Sequence, residues 1–303
     1  MRSRPASLAA ALLLLLAVLS ACADEADPEP AAPETVRFAS YDFAENQTLT
    51  EVYAEAARRA GLPVSVQHGV GPREVVSPAL QQGVVDVVVD YLGTALAFAR
   101  PSETRPSREP AEMHADLSQT LGERDVLVLD VAKAEDQNGF AVTTAFAAEN
   151  GLARLSDLAD LAPRLTFGGP PECPNRPFCL QGLEDTYGLD FGQVLTMPSR
   201  PATVEALLSG QIDVGLLETT DARLAVAPVQ LLIDDRDLQP PENVVPLVRA
   251  DAVDRWGEEL RTALDEVSAR LTTNDLVNLN RLVEMDGLTP AEAAARWWDG
   301  FGG

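Results

Sequence analysis

The chain has one lysine, Lys133, and two histidines, His68 and His114. The scarcity of imidazole leaves little material for general acid–base work or for metal ligation. No G-x-S-x-G nucleophile elbow and no H-E-x-x-H zinc helix occurs. Carboxylate pairs are the acid–base device that stays open to an enzyme. Positive charge is also scarce. With 23 basic residues against 47 acidic ones, the formal charge is −24. Such a surface repels nucleic acid and suits a soluble exterior that does not cling to anionic lipid. Arginine supplies all the basic residues except Lys133, a bias of composition rather than of function. Long apolar runs are missing beyond the first residues, which excludes a later transmembrane helix.

That one apolar run is a targeting segment. Arg2 and Arg4 precede an Ala/Leu stretch from Leu8 to Leu19, too short to serve as a stable anchor. It closes on Leu19-Ser20-Ala21-Cys22, which resembles the lipobox of bacterial lipoproteins. That resemblance makes residues 1–21 a signal peptide and Cys22 the lipidated N-terminus. An ordinary secretory peptide is the alternative, and the chain is exported on either reading. Losing residues 1–21 removes Arg2 and Arg4 and no acids, taking −24 to −26. Residues 22–35 then form an acidic, Pro/Ala-rich tether without aromatics.

Cysteine is rare as well, at three residues. With Cys22 assigned to lipid, Cys173 and Cys179 remain in a short Pro-rich loop around Arg176. In an exported chain they most simply form a disulfide. Closing so short a loop contributes about 2–3 kcal/mol on the chain-entropy model, and its greater value is in holding Arg176. A metal site is the competing reading, but it lacks histidine partners nearby in sequence.

What the sequence does contain is a repeat. Ala79-Leu80-Gln81-Gln82-Gly83-Val84-Val85-Asp86-Val87 returns as Ala206-Leu207-Leu208-Ser209-Gly210-Gln211-Ile212-Asp213-Val214. In this register Arg73 falls on Arg200 and Tyr91 on Glu218. Each copy reads as a helix end, a turn glycine and a buried strand ending at a polar loop. Chance recurrence of a common unit is the alternative reading. Taken as a repeat, it implies two similar α/β lobes that offer strand ends to a shared cleft. The spacing predicts strands at Val36–Ser40, Val64–Val66, Val84–Val89, Val126–Val131, Leu165–Gly168, Gln211–Leu217 and Val229–Ile233, with the second lobe starting near Asn138–Thr143 and a return crossing at Val244–Val248. Leu49, Val52, Tyr53, Ala56, Ala57 and Ala60 share one helix face that ends at Gly61. Thr289-Pro290-Ala291-Glu292 is a capping box opening a helix that carries Trp297 and Trp298, expected to pack the tail onto lobe 1.

Several motifs, in order, resemble the osmoprotectant-type solute-binding proteins of ABC importers. Ala39-Ser40-Tyr41-Asp42-Phe43-Ala44-Glu45 is similar to their opening motif. Gly71-Pro72-Arg73-Glu74-Val75 and Asp90-Tyr91-Leu92-Gly93-Thr94 resemble two more. Arg176, Thr219-Thr220-Asp221 and Pro240-Pro241-Glu242-Asn243-Val244 follow in family order. The resemblance implies a type II periplasmic-binding-protein fold, two α/β lobes joined by two hinge strands. Residues 36–131 with 245–303 form lobe 1, and residues 132–244 form lobe 2. It implies capture of a quaternary ammonium solute such as glycine betaine, choline or carnitine. It also implies delivery to a membrane permease with a cytoplasmic ATPase, no cofactor and no catalysis.

The chemistry follows. A quaternary ammonium has no N–H to donate, and aromatic faces hold it at about 0.5–2 kcal/mol each. A betaine carboxylate needs an arginine fork, a hydroxyl or backbone amides. The resemblance places Tyr41, Phe43, Tyr91 and Phe140 at or beside the aromatic positions, and Thr94, Arg176 and Thr220 among the polar contacts. Tyr41 departs from the lysine usual there, and Glu218 and Glu242 stand where aromatics are common. Facing the cleft, these two acids would favour a cation by charge. They would also shift preference toward choline-like, amine or guanidinium solutes, including ergothioneine, arginine-like or polyamine ligands. A lipoprotein that senses the solute without transporting it fits the same residues.

Overall fold

The computed structural model describes residues 34–101 and 107–300. The signal peptide, Cys22 and nearly all of the tether lie outside these. Residues 35–303 make one compact unit. Among the described residues no helix is long and apolar enough to cross a membrane.

Among the described residues, ten strands form two five-stranded sheets. Strands β1 (Val36–Tyr41), β2 (Val64–Gly71), β3 (Val87–Tyr91), β4 (Val126–Val128), β5 (Asn138–Thr143), β6 (Thr166–Gly169), β7 (Gln193–Thr196), β8 (Val214–Glu218), β9 (Val229–Leu232) and β10 (Val244–Arg249) run in that order. The first sheet is ordered β2-β1-β3-β10-β4 and the second β7-β6-β8-β5-β9. In each, three parallel strands meet a fourth, antiparallel strand: β10 in the first, β5 in the second. Both antiparallel strands belong to segments that cross between the sheets. The crossings pair with each other, since the Ala132 amide donates to Val244 O and the Val244 amide to Ala134 O, both at 2.9 Å. This is the two-lobed α/β architecture with two hinge strands.

The repeat has a mechanical meaning in both lobes. Helices α1 (Ala44–Arg59) and α2 (Arg73–Gln81) belong to lobe 1. In lobe 1 also lie α3 (Leu92–Ala99) and α4 (Pro110–Gly122), while α5 (Thr144–Asn150) and α6 (Arg200–Ser209) serve lobe 2. Gly83 (φ 71°) and Gly210 (φ 72°) end α2 and α6 in the left-handed region. Behind them Val84 donates to Ala79 O and Gln211 to Ala206 O, each at 2.9 Å, closing a Schellman turn. Val84 therefore belongs to the turn and is exposed rather than opening a strand. Next, the Asp86 amide donates to Arg37 O while its carboxylate accepts from the Arg37 amide, at 2.8 and 2.9 Å. Asp213 does the same with Thr166, at 2.9 and 2.8 Å. Each repeat aspartate thus clamps the first residues of a central strand.

The tail completes lobe 1 through α7 (Ala250–Arg270), α8 (Thr273–Glu284) and α9 (Pro290–Asp299). Thr289 and Glu292 form the capping box at the start of α9. Trp297 and Trp298 are buried in the lobe 1 core with Leu49, Val52, Tyr53, Ala56 and Ala57 of α1, and Trp298 Nε1 donates to Val52 O at 3.0 Å. Ala60 lies past the helix end and is exposed.

Candidate solute-binding site

A cavity of about 1080 Å3 lies between the lobes, just above the usual range for small-molecule pockets. Lobe 1 contributes Phe43, Arg73, Glu74, Tyr91 and Thr94; lobe 2 contributes Asn138, the cysteine loop, Arg200 and Glu218; the crossings add Asp136 and Glu242. Among the described residues, seven acids and six arginines line it. The lining is thus close to charge-balanced within a strongly acidic chain, which favours a zwitterion over a bare cation.

Six of the expected residues line the cavity: Phe43, Tyr91, Thr94, Arg176, Glu218 and Glu242. Three do not. Tyr41 is buried behind it, its hydroxyl donating to Asp90 at 2.6 Å and its ring stacked 6.2 Å from Phe43. It backs Phe43, whose other neighbour is Tyr91 at 6.1 Å. Phe140 is core: β5 reaches the cavity at Asn138, and two residues further on Phe140 packs against Phe167 under the sheet. Thr220 is fully buried, donating to Glu45 Oε2 at 2.6 Å. It joins the lobes beneath the site.

Arg73, the first residue of α2, sends Nη2 to Asp90 Oδ1 at 2.6 Å and to Thr94 Oγ1 at 2.8 Å. Asp90 also accepts from the Tyr91 amide at 2.7 Å, so one buried pair fixes both cavity residues at the end of β3, Tyr91 and Thr94. Arg200, the first residue of α6, sends Nε to Glu218 Oε2 at 2.6 Å. The repeat register thus delivers an arginine to an acid at the strand end in both lobes. It also cancels the charge of Glu218, so the expected pull of that residue on a free cation is offset by Arg200.

Arg176 reaches across the cavity to Glu74 of α2, Nη2 to Oε2 at 2.9 Å. Cys173 and Cys179 are disulfide-bonded with Cα atoms 5.3 Å apart, and their loop presents Arg176 to the other lobe. Other links draw the lobes together, including Arg223 with Glu284 at 2.7 Å and Arg108 with Asp237 O at 2.7 Å.

The cavity floor is acidic and buried. Tyr91 donates to Glu45 Oε1 at 2.7 Å, and Asn280 Nδ2 to Glu45 Oε2 at 2.6 Å. Burial raises the Glu45 carboxyl, held back by donors from Thr220, Tyr91 and Asn280. Burial, with Glu45 and Glu218 close by, pushes Asp136 well above the usual carboxylate range. Burial also pushes Glu242 up to about 8, against the lowering effect of the Thr94 amide and Arg73. Sequence reasoning missed Asp136, Arg73, Arg200 and Asn138 as lining residues. Only the two arginines carried a signal, by falling on each other in the repeat. Among the described residues no cluster of His, Cys, Asp and Glu is arranged to hold a metal ion.

Two α/β lobes around a charged cavity with aromatic faces, joined by two crossings, define a solute-binding protein by architecture. The match to known proteins makes the assignment specific. The chain belongs to the family of substrate-binding domains of ABC-type glycine betaine transport systems, whose model matches residues 34–300. It is 27% identical over 292 residues to a glycine-betaine-binding protein of Pseudomonas aeruginosa, covering 93% of each chain. It is 25% identical to a carnitine transport binding protein of Listeria monocytogenes, covering 84% of this chain and 82% of that one. In fold it is similar to a crystal structure of a glycine betaine/carnitine/choline ABC transporter protein. That likeness has a TM-score of 0.69 at 24% identity, covering 88% of this chain and 98% of the other.

Proposed function

We propose that the chain captures a quaternary ammonium zwitterion of the glycine betaine type between its lobes. The closed form is then presented to an ABC permease driven by a cytoplasmic ATPase. The supporting observation is the composition of the cavity: aromatic faces of Phe43 and Tyr91 stand beside a nearly balanced set of arginines and acids. The rings accept a methylated cation that cannot donate a hydrogen bond, and Thr94 and the arginines suit its carboxylate. Relatives that bind glycine betaine or carnitine support the same solute class. The chain binds its solute without transforming it. We place it outside the cell membrane, held there by lipid on Cys22, with residues 36–131 and 245–303 moving as one lobe against residues 132–244.

The test is calorimetric titration of the chain from residue 23 onward, which retains the compact unit of residues 35–303. Glycine betaine, carnitine, choline, ergothioneine, arginine and a polyamine form the panel. Binding of glycine betaine or carnitine supports the proposal. Heat from arginine or the polyamine alone, or turnover of any solute, overturns it.

A further inference from the structure

Glu242 sits where the second crossing meets the cavity, and its two carboxyl oxygens have unequal surroundings. Oε2 accepts from the amides of Gly93 and Thr94, each at 3.1 Å, and from Thr94 Oγ1 at 3.4 Å. Oε1 is buried and has no hydrogen-bond partner among the described residues, although Glu242 lines the cavity. An ionised carboxylate only accepts, and it spreads its charge over both oxygens. Ionised Glu242 would leave charge on an oxygen without a donor, in a residue only 2% exposed.

The charged neighbours do not repair this. Arg73 is the nearby cation, and its Nε and Nη2 are directed to Asp90 and Thr94. Asp90 lies behind it and repels a second negative charge. On the hinge side, Glu135 Oε1 accepts from the Glu242 amide at 3.3 Å, and the Asp136 amide donates to Glu242 O at 3.1 Å. The charges that act on the Glu242 carboxyl are therefore Arg73, whose bonds go to Asp90 and Thr94, and Asp90 itself, while Glu135 and Asp136 touch only its backbone. The neutral acid satisfies the geometry, because Oε2 keeps its donors and Oε1 gains a proton to donate.

We propose that Glu242 takes part in binding as a neutral carboxylic acid whose Oε1–H donates to the carboxylate of the solute. This rests on reading the cavity as a betaine site, and it makes Glu242 a residue that selects carboxylate-bearing solutes over choline. It also reverses the expectation that the acid attracts a cation by charge. Burial holds the group up to about 8, so the acid form prevails at neutral pH. The choline hydroxyl accepts from the acid or donates to the anion, and its cationic charge favours the anion, so choline gains nothing from the proton.

The experiment titrates glycine betaine and choline calorimetrically between about pH 7 and pH 10, a range in which neither solute ionises. The glycine betaine Kd is expected to rise by up to about ten-fold per pH unit above about pH 8, while that of choline holds or falls. Repeating the titration in buffers of different ionisation heat is expected to show proton uptake with glycine betaine only. Glu242→Gln retains a donor, so it is expected to weaken glycine betaine by a few-fold and remove the pH slope. Glu242→Met is expected to lose about ten-fold or more at pH 7. A glycine betaine Kd that does not change with pH, or a slope that persists in Glu242→Gln, overturns the proposal. If folded protein gives no heat with glycine betaine, carnitine or choline at any pH, the betaine reading itself fails, an outcome distinct from a flat but measurable affinity.

Discussion

Replacing Arg73 by methionine tests whether the buried pair after β3 holds lobe 1 and the site together. Arg73 and Asp90 are 9% and 2% exposed at their side chains, and the substitution leaves the Asp90 charge without its counter-ion. Breaking such a pair costs about 3–5 kcal/mol. Asp90 keeps the Tyr41 hydroxyl and the Tyr91 amide, which places the expected loss near the lower end. Against a total stability of about 5–15 kcal/mol this is a large fraction. At about 2–4 °C per kcal/mol for a chain of this size, the melting point should fall by about 6–12 °C. Scanning calorimetry of the chain from residue 23 onward measures it. Adding Asp90→Asn should recover most of the loss, because the orphaned charge is then gone. Arg200→Met should cost less, since Arg200 and Glu218 are 19% and 13% exposed and water shares the solvation. An Arg73→Met protein melting within about 2 °C of the parent, or one not rescued by Asp90→Asn, would refute this account.

Three further outcomes are expected. The Arg176–Glu74 bridge is partly exposed, so Glu74→Gln should weaken solute binding by no more than about five-fold, the equivalent of about 1 kcal/mol. If Arg176→Gln costs far more in the same titration, Arg176 holds the solute directly rather than acting as a latch. Gly93→Ala places a Cβ 2.4 Å from Pro240 Cγ and 2.8 Å from Pro241 O, so it should displace the second crossing and cost both stability and affinity in one variant. The raised carboxyls of Glu45, Asp136 and Glu242 bind protons in the folded chain at pH values where the unfolded chain has released them. Folding stability should therefore fall as pH rises from about 4.5 through the folded value near 8 for Glu242. Urea midpoints that climb over that window would contradict the assignment.

Much of the architecture was legible because it rests on local pattern. Alternating and continuous apolar runs pointed to most of the strands, though not to β7, and the recurrence around Asp86 and Asp213 pointed to twin lobes. The partner of each aspartate, at the start of a central strand, was not legible, since that pairing spans 49 residues for Arg37 and Asp86. The site was half legible. Tyr91 and Thr94 lie at a strand end and had to reach the cleft. Tyr41 and Phe140 look the same in sequence, yet the depth of a ring along its strand decides whether it meets solute or core. Charge was the least legible feature: Glu218 reads as a free anion until Arg200, the first residue of a helix 18 residues earlier, is seen to face it.

The place of β10 has a kinetic consequence. The strands of the second sheet all fall between Asn138 and Leu232, so that lobe has its full set before the chain turns back. The first sheet does not, because β10 is inserted between β3 and β4, and the tail tryptophans close its core still later. A chain emerging from its N-terminus must keep the earlier half of lobe 1 waiting, with the edges of β3 and β4 unpaired, until residues 244–249 arrive. The lobe that begins first is the one that finishes last, and its open sheet edges are where a chaperone would be needed.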